Sequence, residues 1–256
     1  MQSGTGGKKM KCVFFDIDGT LIDHKASEKD ALKKFMLGNW DVFGSDFEFL
    51  YVMWEKLTRE YRIIYEKGFL TFDDHRIKRM VALFAVYGFV ITNEEAKEKL
   101  LEYQAYYEKS VRLYPDVLEC LKELKGVKLG VISNGKTWPQ VEKLEKTDIL
   151  RYFSVFAVAD LAGFAKPDRR IFEYACSQAG CKPSEAYYVG DRLDMDALAG
   201  EAAGFKTFWL NRSGRFHFIA GGVKEINGLN KLNLKEPEGG AVVKGAQCRR
   251  EDMSLV

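Results

Sequence analysis

Five short apolar runs, "KCVFFD", "VKLGVIS", "YFSVFAVA", "AYYVG" and "FKTFWL", alternate with longer segments of helical character such as "DRRIFEYACSQAG". Runs of this length bounded by turn residues read as strands, and strands separated by helices read as βαβ units. Right-handed crossovers then require a parallel sheet with helices on both faces. The first run agrees, because Val13, Phe14 and Phe15 are apolar without alternation, as in a strand buried on both sides. The fold class expected is α/β, with five parallel strands in a doubly wound, Rossmann-like core.

A long interruption follows the first strand. The chain has five prolines, and the first is Pro115, so the preceding stretch lacks the strongest helix breaker. Ser27 with Asp30 predicts a helix to about Leu37. Phe47, Leu50, Tyr51, Trp54, Leu57, Tyr61 and Ile64 recur at three- and four-residue spacing up to Gly68. Thr71 with Asp74 predicts a capped start running to Gly88, and Thr92 with Glu95 forms a capping box before "AKEKLLEYQAYYEKSV". An inserted α-helical bundle is therefore expected. The divisions are 10–22 and 112–234 for the core, 23–111 for the bundle, and 235–256 for a polar, Gly-rich tail of disordered character.

Lysines and arginines number 39 against 37 acids, a net charge of +2, so no global field favours nucleic acid or a membrane surface. No run reaches the roughly 18 apolar residues that span a bilayer. The five cysteines are odd in number and show no CxxC spacing. That argues against a disulfide framework or a zinc site and for a reducing cytoplasm. The partner expected is a small molecule, and the sequence leaves the oligomeric state open.

The strands end in polar clusters. The first ends in Asp16 and Asp18, the second in Ser133 and Asn134, the fourth in Asp191, Asp194 and Asp196, while Lys166 precedes a helix start. Ligands of open α/β sheets bind beyond the carboxyl ends of the strands, so these clusters should converge. Three carboxylates at one place repel unless a hard cation lies among them, and an oxygen-only set with room for water and phosphate suits Mg²⁺. Ser133, the backbone N–H groups around Asn134 and Gly135, and the Lys166 ammonium are donors that complement a phosphate. Acids and donors together point to phosphoryl transfer. One carboxylate can attack phosphorus while a neighbouring acid protonates the leaving oxygen and later deprotonates water.

"DIDGT", "VISNG", "AKPDRRIF" and "VGDRLDMD" occur in this order between residues 16 and 196, and together they resemble the four motifs of the haloacid dehalogenase-like (HAD) phosphohydrolases. The position of the insertion resembles the branch whose helical cap lies between motifs one and two. The resemblance implies a Mg²⁺-dependent phosphatase acting on a small phosphorylated metabolite through an aspartyl phosphate. It makes Asp16 the nucleophile and a metal ligand, Asp18 the acid/base whose carbonyl also binds metal, and Asp191 the third ligand. Ser133, Asn134 and Lys166 would hold the phosphoryl group, and Asp196 would orient the lysine or the metal's water shell. It also implies a first strand lying between the second and the fourth. Asp194 falls on a variable position.

Dehalogenases of the family lack the second acid of motif one, so Asp18 favours phosphate. A phosphosugar mutase shares these motifs and stays open as an alternative. A non-catalytic binding module would usually have lost Asp16, Asp18 or Lys166. In the insertion, Arg76, Lys78 and Arg79 read as a solvated helix face, with Arg76 and Arg79 as candidates for meeting substrate. His24, His75 and His217 show no metal spacing and receive no role.

Overall fold

The computed structural model describes residues 10–214 and 221–234. Its sheet is parallel and has six strands in the order β3-β2-β1-β4-β5-β6. These are β1 (Cys12–Phe15), β2 (Lys128–Ser133), β3 (Val155–Val158), β4 (Ala186–Gly190), β5 (Lys206–Leu210) and β6 (Lys224–Ile226). The five expected strands are present, and β1 lies between β2 and β4. The sixth strand was not legible because it has three residues, two of them charged and exposed, and so carries no apolar run.

Alternation along β1 divides its side chains between two cores. Val13 and Phe15 join Leu129, Val131, Tyr187, Val189 and Phe208 on one face. Cys12 and Phe14 join Ile132, Tyr188 and Phe205 on the other, under Ile171 and Phe172. With both faces covered, an unbroken apolar strand is the stable choice.

The bundle consists of α1 (His24–Gly38), the single turn α2 (Trp40–Phe43), α3 (Phe47–Glu66), α4 (Phe72–Val86) and α5 (Asn93–Glu108). It encloses a third core that includes Leu32, Phe35, Leu50, Trp54, Met80, Leu83 and Tyr103. Thr71 caps α4, accepting from Asp74 N at 3.1 Å. The capping box at Thr92 and Glu95 is complete in both directions. The start of α1 differs from expectation. Asp23 caps it, accepting from Ala26 N at 3.1 Å, while Ser27 lies inside the helix and donates to the Asp23 carbonyl at 2.7 Å. An aspartate at the point where the chain turns off the sheet satisfies an earlier free N–H than Ser27 could.

The chain enters and leaves the bundle side by side. Ile22 and Leu113 form an antiparallel bridge, Asp23 N donates to Arg112 O at 2.9 Å, and Tyr114 N donates to Leu21 O at 3.1 Å. The core then continues through α6 (Val117–Glu123), α7 (Thr137–Lys146), α8 (Ala159–Ala162), α9 (Arg169–Ala179), a π-helical turn over Leu193–Leu198, and α10 (Ala199–Ala202). The tail at 235–256 lies outside the described residues. No helix among the described residues is long and apolar enough to cross a membrane.

Gly130 pairs with Phe14 in the sheet register, and a Cβ there would come within 2.6 Å of the Phe14 ring and 3.0 Å of Val155 Cβ. Gly130→Ala should therefore destabilise the fold by about 1–3 kcal/mol through overpacking. Urea unfolding measures this, and an unchanged midpoint would contradict the packing described.

Candidate active site

Every expected core site residue falls at the carboxyl edge of the sheet. Asp16 directly follows β1 and extends its ladder, donating its N–H to Val189 O at 2.9 Å. Ser133 ends β2, and Asp191 follows the last residue of β4. The turn after Asp16 reverses because Leu21 and Ile22 both donate to Ile17 O at 2.9 Å and Gly19 adopts φ +91°. Glycine meets two demands there. A side chain would be strained at that φ, and its Cβ would lie 2.3 Å from Asp191 Oδ2.

Two charge systems lie two residues apart. In the first, the buried Lys166 ammonium donates to Asp16 Oδ1 at 2.6 Å, Asp196 Oδ1 at 2.7 Å and the Tyr188 hydroxyl at 3.0 Å. Tyr188 donates in turn to Asp196 Oδ1 at 2.7 Å, and Arg192 N donates to Asp196 Oδ2 at 2.9 Å. Burial pulls the lysine down, but the charges of Asp16 and Asp196 outweigh it, so the ammonium is retained. Burial pushes Asp16 up to about 8 against the pull of Lys166, and Asp196 and Asp191 add to the rise. Burial and then Asp196 push Asp191 up to about 7. One ammonium does not balance three acids.

In the second system, Lys143 Nζ donates to both Asp18 oxygens at 2.7 Å and Gln140 Nε2 donates to Asp18 Oδ2 at 3.0 Å. Burial would raise Asp18, but the charges of Lys143 and His24 and these hydrogen bonds hold it well below the usual carboxylate range. Gln140 Nε2 also donates to Ser133 Oγ at 2.9 Å, joining the two strand ends. His24 Nδ1 is 3.8 Å from Asp18 and 2.7 Å from the Tyr107 hydroxyl.

The side chain of Asn134 is committed to a partner within the protein. Its amide clamps the lysine loop, donating to Lys166 O at 2.8 Å and accepting from Lys166 N at 2.6 Å. Only its main chain is left for a phosphate. Asp194, which received no role, is exposed and pairs with Arg192 at 3.2 Å.

Asp16, Asp191 and Asp196 each offer an oxygen, and these atoms lie within 4.8 Å of one another. Both Asp196 oxygens are already hydrogen-bonded, which leaves Asp16 and Asp191 as the carboxylates facing the gap. An oxygen-only set with surplus negative charge fits a hard divalent cation.

The bundle closes the cleft from above. Asp73 pairs with Lys136 at 2.9 Å, Glu66 with Arg192 at 3.4 Å and Glu108 with Lys146 at 3.1 Å. A cavity of about 260 Å³ remains, lined by Tyr65 and Phe72 of the bundle and by Asn134, Gly135, Asp160 and Phe164 of the core. Arg79 departs from the solvated face expected of it, being only 7% exposed. Its helix turns it inward, over the ring of Trp54.

Lys143, Gln140, His24 and Tyr188 were missed in the sequence. The signal for two of them existed: Gln140, Lys143 and Leu144 share one face of α7, and Gln140 and Leu144 on that face are buried.

Comparison with known proteins gives the family. A profile of haloacid dehalogenase-like hydrolases matches residues 10–204. The chain belongs to that family. It is 34% identical over 205 residues to the glyceraldehyde 3-phosphate phosphatase of Methanothermobacter thermautotrophicus, covering 79% of this chain and 86% of that one. It is 28% identical over 254 residues to the N-acylneuraminate-9-phosphatase of Mus musculus, covering 88% and 95%. Among solved structures, the magnesium-bound HAD-hydrolase YfnB from Bacillus subtilis superposes with TM-score 0.76 at 22% identity, covering 87% of this chain and 96% of that one, which is likeness of fold.

Lys166 is the cation on which Asp16 and Asp196 both depend. Lys166→Met should destabilise the protein by about 3–5 kcal/mol, because it leaves buried charge without a partner. Tyr188→Phe removes one hydroxyl from the same cluster and should cost about 1 kcal/mol. Denaturant unfolding compares the two, and equal costs would mean that Lys166 is not the hub.

Proposed function

We propose that the protein is a Mg²⁺-dependent phosphatase that hydrolyses a small phosphorylated metabolite through an aspartyl phosphate on Asp16. The observation that carries this is the pairing of two acids on one turn with different partners, Asp16 with Lys166 and Asp18 with Lys143 and Gln140. One acid is set against the phosphate-binding donors, and the other faces the bundle, where a leaving group would lie. The phosphatase names of the relatives support the same reading.

The residues divide the work as follows. Lys166 Nζ and Ser133 Oγ, with main-chain N–H groups at Asn134 and Gly135, hold the phosphoryl oxygens. The Asp16 oxygen not bonded to Lys166 attacks phosphorus, and the bond to the leaving oxygen breaks. Asp18 is placed to give that oxygen its proton, which requires that substrate binding first loosen the Lys143 pairing that holds its carboxyl in the ionised form. As a carboxylate it then takes a proton from water, which attacks the aspartyl phosphate and regenerates Asp16. Asp196 holds Lys166 in place without touching the reacting atoms.

Asp16, Asp191 and the Asp18 carbonyl are the groups that would hold the metal. Bound there, Mg²⁺ would neutralise the acids and the charge of the transferring group. Residues 23–111 are read as a cap domain over a core of 10–22 and 112–234. The cavity between Phe72 and Phe164 gives the leaving group room, and closure of the cap excludes water. The free thiols of Cys12, Cys120, Cys176 and Cys181 suit a cytoplasmic setting.

Asp16→Asn should abolish phosphate release from every ester while the circular dichroism spectrum stays native. Asp18→Asn should lower kcat by about 10²–10⁴-fold, and acid quench should trap phosphate on the protein because the second step lacks its base. Absence of covalent phosphate in both wild type and Asp18→Asn would refute the covalent route. Chelation should stop turnover and Mg²⁺ restore it, whereas Ca²⁺, with looser and longer coordination, should inhibit. Equal rates with either ion would contradict the metal assignment.

A further inference from the structure

Two guanidinium groups of the cap have no acid beside them. The Arg79 guanidinium lies 4.0 Å from the centroid of the Trp54 ring, and Nη1 donates to Thr58 Oγ1 at 2.9 Å. Its Nε is buried and has no hydrogen-bond partner among the described residues. Arg76, three residues earlier on the same face of α4, lies 5.4 Å from the centroid of the Phe72 ring. With the Gln104 amide turned so that its oxygen faces the guanidinium, Nη1 donates to that oxygen at 2.8 Å and Nη2 donates to the same atom. Burial pushes both arginines below their usual range. Among the described residues neither has a carboxylate oxygen within 4.0 Å.

A buried cation without an anion is costly, and one hydroxyl with an aromatic face offsets only part of that cost. The neighbouring acids are already engaged. Asp73 is held by Lys136 at 2.9 Å. Glu28, itself buried, accepts from Trp54 Nε1 at 2.8 Å and lies 4.0 Å from His24 Nε2. Two positive charges thus face one negative charge in the cap interior.

Both lie on the helix whose first turn meets the core. Side chains on a helix lean toward its N-terminus, and the N-terminus of α4 is the end that meets the core through Asp73 and Lys136. A chain of short contacts also joins the two places. Asp18 is 3.8 Å from His24, His24 is 4.0 Å from Glu28, Glu28 bonds Trp54, and Trp54 lies under Arg79.

We propose that Arg76 and Arg79 form an anion subsite for the leaving group. The preferred substrate is then a phosphomonoester that carries a second oxyanion, a carboxylate or another phosphate, several bonds from the ester that is cleaved. The subsite refines the phosphatase reading above and rests on it. The planar forks of the two arginines supply donors of the geometry that carboxylates and phosphates accept in pairs, and the second anion supplies the charge that the cap lacks.

The test uses the full chain with Mg²⁺ and three homologous series: ω-phosphorylated alkanoates, the matching α,ω-bisphosphates, and the matching ω-phosphorylated alcohols. The readout is kcat/KM for each anionic ester divided by that for the neutral ester of equal length. At one chain length the ratio should reach about tenfold or more, the worth of a charge-assisted hydrogen bond. The alkanoate and bisphosphate arms tell which anion is taken. In Arg76→Gln and in Arg79→Gln the ratio should fall to about one, and Arg79→Lys should retain part of it. If Arg79→Gln does not fold, Arg76→Gln, at a half-buried position, decides. A ratio near one at every length in the wild type, or a ratio that survives both substitutions, overturns the subsite. Calorimetric binding of the same esters to Asp16→Asn reads the ratio without turnover. Preference in binding with no phosphate release by wild type would reject the phosphatase reading and keep the subsite, whereas release without preference would do the reverse.

Discussion

The contact on which the site depends is the one between the Lys166 ammonium and the carboxylates of Asp16 and Asp196, at 2.6 and 2.7 Å and almost out of contact with water. It joins the end of β1, the loop before α9 and the π-helical turn after β4, three segments distant in sequence that meet only when the sheet is complete. Burying the ammonium requires both acids, and burying the acids requires the ammonium. Asp191 is a further acid in the same space, pushed upward by burial and by Asp196. The surplus negative charge is the physical reason for expecting a divalent cation there. Asp18, two residues from Asp16, is spared this competition because Lys143 and Gln140 of α7 compensate it separately.

The cap meets the core by weaker means. Its ion pairs to Lys136, Arg192 and Lys146 have partly exposed side chains, so solvent screens them and each contributes little. They orient the bundle over the cleft without welding it there. The tight packing of the bundle is internal, in a core around Trp54, Met80 and Tyr103 that is separate from the two cores of the sheet. Arg79 and Glu28 are the exceptions within it, charged groups at the edge of an apolar interior.

What could be read from the sequence was what is local. An apolar run that stops at an acid marks a strand end, and the pattern carried Asp16, Ser133 and Asp191 to the correct edge of the sheet. Capping chemistry located α4 and α5, because a threonine and an acid three residues later satisfy each other within one turn. The same rule misplaced the start of α1, since Ser27 and Asp30 imitate a cap while Asp23 supplies it. Edge strand β6 has too few apolar residues to announce itself. Residues whose role comes only from tertiary contact were illegible. Lys143 looks like any helical lysine until α7 is laid against Asp18, and Arg79 resembles its exposed neighbour Lys78 until Trp54 covers it. The task of the Asn134 side chain was illegible too, because its partner is a loop 32 residues away.

The paired segments at Ile22 and Leu113 have a consequence for how such a molecule can change over evolutionary time. Because the two crossing strands are hydrogen-bonded to each other, the sheet meets the whole bundle as if it were the tip of a hairpin. The ends of the insert stay a few ångströms apart whatever its length, and the entropy of closing a loop grows only slowly as residues are added. A different bundle, longer or shorter, could be spliced between the same two residues without altering the register of β1 or the reach of Lys166. On the proposed reading, the chemistry and the choice of substrate are thereby encoded in parts of the chain that can be exchanged separately, joined at a seam two residues wide.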